Sequence, residues 1–159
     1  MFVRAKKING KTYAYLVQNE WTPWGSRQRV TKYLGKTHTL NKYSEGIAEL
    51  PAGLQQAITE AAAQELTNHG FIREGNILKQ EDIIVNLDDK TVRQKNKKVV
   101  LGMNEGYLCD HTLQQLLTFA PGERPYESAK KLANLVLEAG LKLINEQFVH
   151  LFEQVKKND

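Results

Sequence analysis

The chain has 159 residues, 41% hydrophobic and 25% charged, with a formal net charge of +4. That composition fits one globular domain, or a small module joined to a larger one, and excludes a low-complexity polymer. The single cysteine, Cys109, excludes an internal disulfide, and no apolar run is long enough to span a bilayer as a helix.

The charge is concentrated at the start. Arg4, Lys6, Lys7, Lys11, Arg27, Arg29, Lys32 and Lys36 face a single acid, Glu20, in residues 1–36, a formal +7. Residues 2–8 and 11–18 read as strands around Asn9-Gly10, a pair suited to the positive φ angles of a type I′ turn. A two-residue loop sets the register: Ile8 faces Lys11, Lys6 faces Tyr13, Ala5 faces Ala14, Arg4 faces Tyr15 and Val3 faces Leu16. Arg4, Lys6, Tyr13 and Tyr15 then share one face, and Val3, Ala5, Ala14 and Leu16 the other.

A third strand is expected over residues 26–34, after a loop holding Pro23 and Gly25. Placing Val30 and Leu34 on the apolar face puts Arg27, Arg29 and Tyr33 with Arg4, Lys6, Tyr13 and Tyr15. A two- or three-stranded sheet can enter the major groove of duplex DNA, with Arg on guanine edges or phosphates and Tyr against sugars or bases. Exposed sheet faces also carry such residues for solubility and strand propensity. The near absence of acids favours a polyanion partner, because solubilising surfaces mix both signs. Trp21 is expected to fold back over the thin sheet. Trp24, beside Gly25, either does the same or stacks on a base.

Phe2-Val3-Arg4, Asn9-Gly10-Lys11-Thr12-Tyr13, Tyr15-Leu16-Val17, Thr22-Pro23-Trp24-Gly25-Ser26-Arg27-Gln28-Arg29 and Tyr33-Leu34-Gly35 occur in that order. This region resembles the N-terminus of DDE-type transposases of bacterial and archaeal insertion sequences, well over residues 1–36 and fading near residue 65. There the segment precedes the catalytic domain and is associated with end recognition, so the resemblance implies DNA contact for the Arg and Lys positions. The chain has no room for the RNase H-like core of those enzymes. Its acids Asp82, Asp88, Asp89, Glu105 and Asp110 fall close together, whereas two-metal catalysis draws carboxylates from separate core elements. Transposase activity is therefore not expected.

Residues 37–50 read as a connector. Leu54–Asn68 has helical spacing of Leu54, Ile58, Ala61, Ala62, Glu65 and Leu66, with Gly70 as its stop. Residues 71–79 and 82–87 look extended, Asp88-Asp89-Lys90 turns the chain, and Thr91–Lys95 and Lys98–Leu101 continue a meander with basic tips. Asp110 is a candidate cap for a helix over 111–119. After a loop through Pro121 and Pro125, one helix is expected over 126–156. At about 1.5 Å per residue it would be roughly 45 Å long, and its broad apolar coverage suits either a central core helix or, the favoured reading, a homodimer contact through it.

Cys109 and His111 lack the further spaced ligands of a zinc site, and His38, His69 and His150 are scattered. No phosphate loop or dinucleotide fingerprint is present. The expected fold is α+β: a three-stranded antiparallel sheet module over 1–36, a connector over 37–50, and an α+β domain over 51–159 with a long C-terminal helix. The expected function is a non-enzymatic DNA-binding protein acting through Arg4, Lys6, Tyr13, Tyr15, Trp24, Arg27, Arg29 and Tyr33, with no cofactor, metal or membrane and with a cytoplasmic, nucleoid-associated location in a prokaryote. Duplex DNA is the first partner. RNA, a ribosomal site and an acidic protein remain alternatives on the same electrostatics.

Overall fold

The computed structural model describes residues 1–157. Three strands come first: β1 (Phe2–Ile8), β2 (Lys11–Thr22) and β3 (Gly25–Thr39). Helix α1 (Leu54–Asn68) follows, then β4 (Ile72–Glu74), β5 (Ile77–Gln80), β6 (Ile83–Asn86), β7 (Thr91–Gln94), β8 (Lys97–Met103) and β9 (Gly106–Leu108). Helices α2 (Asp110–Leu117), α3 (Pro125–Glu138) and α4 (Asn145–Lys157) come last among the described residues. The class is α+β, with one mixed nine-stranded sheet ordered β1-β2-β3-β8-β7-β6-β5-β4, and β9 paired to β8.

Most pairings are local hairpins. Asn9 and Gly10 take φ of 50° and 78°, a type I′ turn, and the β1–β2 register is the one that the two-residue loop dictates. Lys95 and Asn96, at 49° and 65°, make the same turn between β7 and β8. Among the described residues one pairing is parallel, joining Lys36–Thr39 of β3 to Val99–Gly102 of β8. The strand therefore runs through residue 36 without a break, and the N-terminal sheet is continuous with the rest. Irregular chain begins only after Thr39 and lasts to Gly53. Buried amides serve its backbone: Gln64 Oε1 accepts from Ala48 N–H at 2.7 Å, Asn68 Oδ1 from Gly46 N–H at 3.1 Å, and Gln154 Oε1 from Gly53 N–H at 3.1 Å.

Helix α1 has the bounds expected from its apolar spacing. Gly70, at φ 93°, closes it in a Schellman motif: Gly70 N–H donates to Thr67 O and Phe71 N–H to Leu66 O. The main core gathers Leu54, Ile58 and Leu66 of α1 with Leu78, Val85 and Val92 of the meander, Leu113 and Leu116 of α2, Leu132 of α3 and Leu151 of α4. A smaller cluster joins Ala14, Leu16 and Leu34 of the N-terminal sheet to Val100 and Cys109, with Val3 and Tyr107 against it.

The single helix expected over 126–156 is two helices. Gly140, at φ 83°, ends α3 in a second Schellman motif, with Gly140 N–H to Leu137 O and Leu141 N–H to Val136 O. The chain then dives so that Leu141 and Leu143 reach the core, and α4 returns against α3. The apolar set was too broad for one helix because it belongs to two. With 14 and 13 residues, α3 and α4 are each about 20 Å long, and neither has the roughly 45 Å length from which a homodimer contact was expected. Asp110 is not the cap of α2 either: Cys109 holds that position, and Asp110 in the first turn accepts from Val92 N–H at 2.8 Å and Arg93 Nη1 at 2.7 Å.

Candidate nucleic-acid interface

The N-terminal sheet ends in a two-stranded arm. Phe2, near the start of β1, pairs with Val17, and β2 and β3 continue as a pair beyond it to the Thr22–Gly25 turn. At about 3.3 Å per residue the arm projects roughly 20 Å past β1. Every residue of Ser26–Tyr33 is exposed. β3 runs past the expected residue 34 because Lys36–Thr39 pair with β8, whereas at the arm end β2 runs past the expected residue 18 and β3 starts before the expected 26 with no buried neighbour to sustain them. Continuous cross-strand pairing was enough.

Two irregularities in β3 decide which side chains share a surface. Ala14 pairs with Gly35 but Tyr15 with Tyr33, and Leu16 pairs with Lys32 but Val17 with Val30. Each step leaves one extra residue in β3, Leu34 and then Thr31, and each extra residue reverses the alternation. Tyr33 stays with Tyr15, Tyr13, Arg4 and Lys6. Arg27 and Arg29, beyond the second bulge, pair with Glu20 and Gln18 and move to the opposite face. Arg29 Nη1 lies 3.0 Å from Glu20 Oε1 there. Gln28 takes the tyrosine side instead and accepts a hydrogen bond from Arg4. Val30 likewise leaves the apolar face and is 48% exposed, whereas Leu34 is buried as expected. The single basic-aromatic face read from strict alternation is thus two surfaces.

On the first surface the tyrosines cluster. Tyr33 sits with its ring centroid 5.4 Å from Tyr15 and 6.4 Å from Tyr13, and Lys6 Nζ lies 5.8 Å from the Tyr15 centroid. Partial burial, then the neighbouring Tyr15 and Tyr13, push the Tyr33 phenol above its ordinary pKa.

The surface continues into a cleft of about 600 Å³ where β3 meets the β7–β8 hairpin. Tyr33, Leu34, Lys36, Asp82, Gln94, Lys95, Lys97, Lys98 and Val99 line it. The parallel β3–β8 pairing brings Lys36 alongside Val99, and the type I′ turn presents Lys95 and Lys97 at the rim. Asp82 is the cleft's one acid. Gln94 Nε2 donates to it at 3.0 Å, and that bond, with Lys95 at 3.9 Å, holds the carboxyl below the usual carboxylate range. Lys36, Lys95, Lys97 and Lys98 were absent from the residues expected at the site. The only signal for the last three was their place on a meander tip, some sixty residues from the basic N-terminus.

At the end of the arm, Trp21 and Trp24 are 85% and 87% exposed. Trp21 does not fold back over the sheet as expected. It pairs across the strands with Ser26 and points outward. The expected residues therefore fall into three places: Arg4, Lys6, Tyr13, Tyr15 and Tyr33 together beside the cleft, Arg27 and Arg29 on the reverse of the arm, and Trp24 at its tip.

A second ionisable cluster lies inside the protein. Glu65 is fully buried, with Lys42 Nζ 3.3 Å from its Oε1 and a hydrogen bond from Asn104 to the same oxygen. His69, also buried, donates from Nδ1 to the Glu65 backbone carbonyl at 2.9 Å. Asn104 also donates to Gly140 O at 2.7 Å. The cluster ties the irregular segment, α1, the β8–β9 turn and the α3 stop to one carboxylate. Among the described residues no three His, Cys, Asp or Glu side chains converge to hold a metal ion. Cys109 is buried, and that burial pushes its thiol up, the environment of an inert core cysteine. No helix among the described residues is long and apolar enough to cross a membrane.

No family model, curated protein or solved structure matches this chain.

Proposed function

We propose that this protein is a non-enzymatic nucleic-acid-binding protein whose preferred partner is duplex DNA. The observation that carries the reading is the convergence of Lys36, Lys95, Lys97 and Lys98 on the cleft at the sheet junction, whose Tyr33 leads on through Tyr15 and Tyr13 to Arg4 and Lys6 on β1. Two distant stretches of chain contribute cations to one concave surface with a single acid in it, which an incidental solubilising face does not require. In this reading the cleft and the tyrosine face hold the sugar–phosphate backbone. The arm, a two-stranded ribbon of the size a major groove admits, lies along the groove. Its exposed Asn19, Arg27, Gln28 and Arg29 are residue types that pair with base edges. The resemblance of residues 1–36 to transposase end-recognition segments agrees with this assignment.

Fluorescence anisotropy against duplex DNA, duplex RNA and single strands over a salt series tests it. Affinity for duplex DNA should fall steeply with salt, and Lys36→Ala and Lys97→Ala should each lower the logarithmic slope by about one. No binding to any of these at low salt would refute it. Tighter binding to duplex RNA or to single strands would reassign the partner.

A further inference from the structure

We propose that the arm carries a base-stacking tip, through which Trp21 and Trp24 hold unpaired or unstacked bases and direct the protein to distorted rather than uniform duplex. This rests on the nucleic-acid reading above and assigns the class of site within it.

The two indoles are the most exposed large hydrophobic side chains of the protein. Neither contacts the core, and both stand at the far end of a projecting arm. Indoles normally supply burial, so holding two of them in water on a dedicated extension calls for an aromatic or apolar partner. The surroundings select which one. The arm's only acid, Glu20, is ion-paired to Arg29, and the arm leads back along β3 to Tyr33 and the lysine cleft. A polyanion with flat apolar rings suits that combination better than an apolar protein groove does. From Tyr33 to the tip is at most about 30 Å of strand, or about nine base-pair steps at 3.4 Å. Cleft and tip can therefore engage one continuous site.

The tip is also preorganised. Pro23 restricts its own φ, Thr22 Oγ1 donates to Gly25 O at 2.6 Å, and Trp24 N–H donates to Thr22 Oγ1 at 3.3 Å. Gly25 adopts φ 116° to close the turn. Little backbone order remains to be imposed when a ring stacks. In intact duplex, a ring enters only by opening a base step, an unfavourable event that a bulge or junction has already met.

The test uses the full chain with a short perfect duplex and the same duplex carrying a few unpaired central thymidines. Anisotropy at matched salt gives the affinities, and intrinsic tryptophan emission reports stacking. The expected results are about tenfold tighter binding to the bulged duplex, with quenched emission on that duplex. Trp21→Ala/Trp24→Ala should bring the two affinities to within about twofold of each other. It should leave the salt slope and the unfolding midpoint close to wild type. Trp21→Phe/Trp24→Phe should retain most of the preference. Equal wild-type affinity for both duplexes, or a preference that survives the double alanine variant, overturns the stacking tip and leaves duplex binding standing. Failure to bind either duplex refutes duplex DNA as the partner, and the tip with it.

Discussion

Gly35→Ala should damage both the stability of the protein and its proposed site, through one contact. Gly35 sits at the first β3 bulge with φ 140°, a region that residues with a side chain rarely occupy. A Cβ there would lie 2.6 Å from Lys98 O, 3.0 Å from Lys98 C and 3.1 Å from Val99 Cα. All three atoms are backbone of β8, so no side chain can swing aside. The strained dihedral costs about 1–3 kcal/mol and the overpacking about 1–3 kcal/mol. The total, roughly 2–6 kcal/mol, is a large share of the 5–15 kcal/mol typical of a domain. Gly75→Ala is the matched control: Gly75 also has positive φ, at 62°, but a Cβ there meets nothing within 4 Å. Its cost should be the dihedral penalty alone, about 1–2 kcal/mol. Urea denaturation followed by circular dichroism gives both values. If relief of the clash parts β3 from β8, Lys36 also moves away from Lys97 and Lys98, and the salt slope of duplex binding should fall. Equal destabilisation by the two variants would refute the close approach of β3 to β8.

Lys42→Met should destabilise by about 2–4 kcal/mol, somewhat below the usual cost of stranding a buried charge because Lys42 is itself 23% exposed. Glu65→Gln should cost less than Lys42→Met, since it removes the charge instead of stranding it. Denaturant midpoints order the two, and the reverse order would contradict the role given to Glu65. Asp82→Asn should tighten duplex binding about twofold at low salt, by deleting the cleft's acid while keeping an acceptor for Gln94. Anisotropy measures it, and unchanged or weaker binding would place the phosphates elsewhere. Arg73 hydrogen-bonds Glu60 at 2.6 Å and 2.8 Å and holds that carboxyl below the ordinary carboxylate range. A depressed carboxylate contributes stability that is present above its unfolded pKa and is lost as pH falls through the folded value. Wild type minus Arg73→Ala should therefore differ by less than about 1 kcal/mol near neutrality, with the difference vanishing in acid. A difference that grows on acidification would contradict the sign.

The local parts of the fold were legible because local chemistry decides them. Asn9-Gly10 can make one hairpin turn comfortably, and that settled the β1–β2 register. The spacing from Leu54 to Leu66 with Gly70 behind it set both ends of α1. The expected helix over 126–156 failed for an instructive reason. Helical periodicity alone does not separate Gly140 as a tolerated interior residue from Gly140 as a stop. Its contacts do: a Cβ on Gly140 would sit 2.8 Å from Met103 O, and one on Gly106 would sit 2.4 Å from Gly140 N. The β8–β9 hairpin packs against that turn and holds the chain's change of direction.

By itself, the sequence determined where cations and aromatics are plentiful and which of them share a face on β1 and β2, since side-chain alternation is a property of the strand. Tertiary structure decided how that surface is completed. The bulge at Leu34 sets Tyr33 beside Tyr15, and the bulge at Thr31 then reverses the alternation and sends Arg27 and Arg29 to the back of the arm. The parallel β3–β8 pairing brings in lysines from far along the chain. Both features depend on non-local pairing, where backbone geometry is set by what β3 lies against as well as by the residues within it.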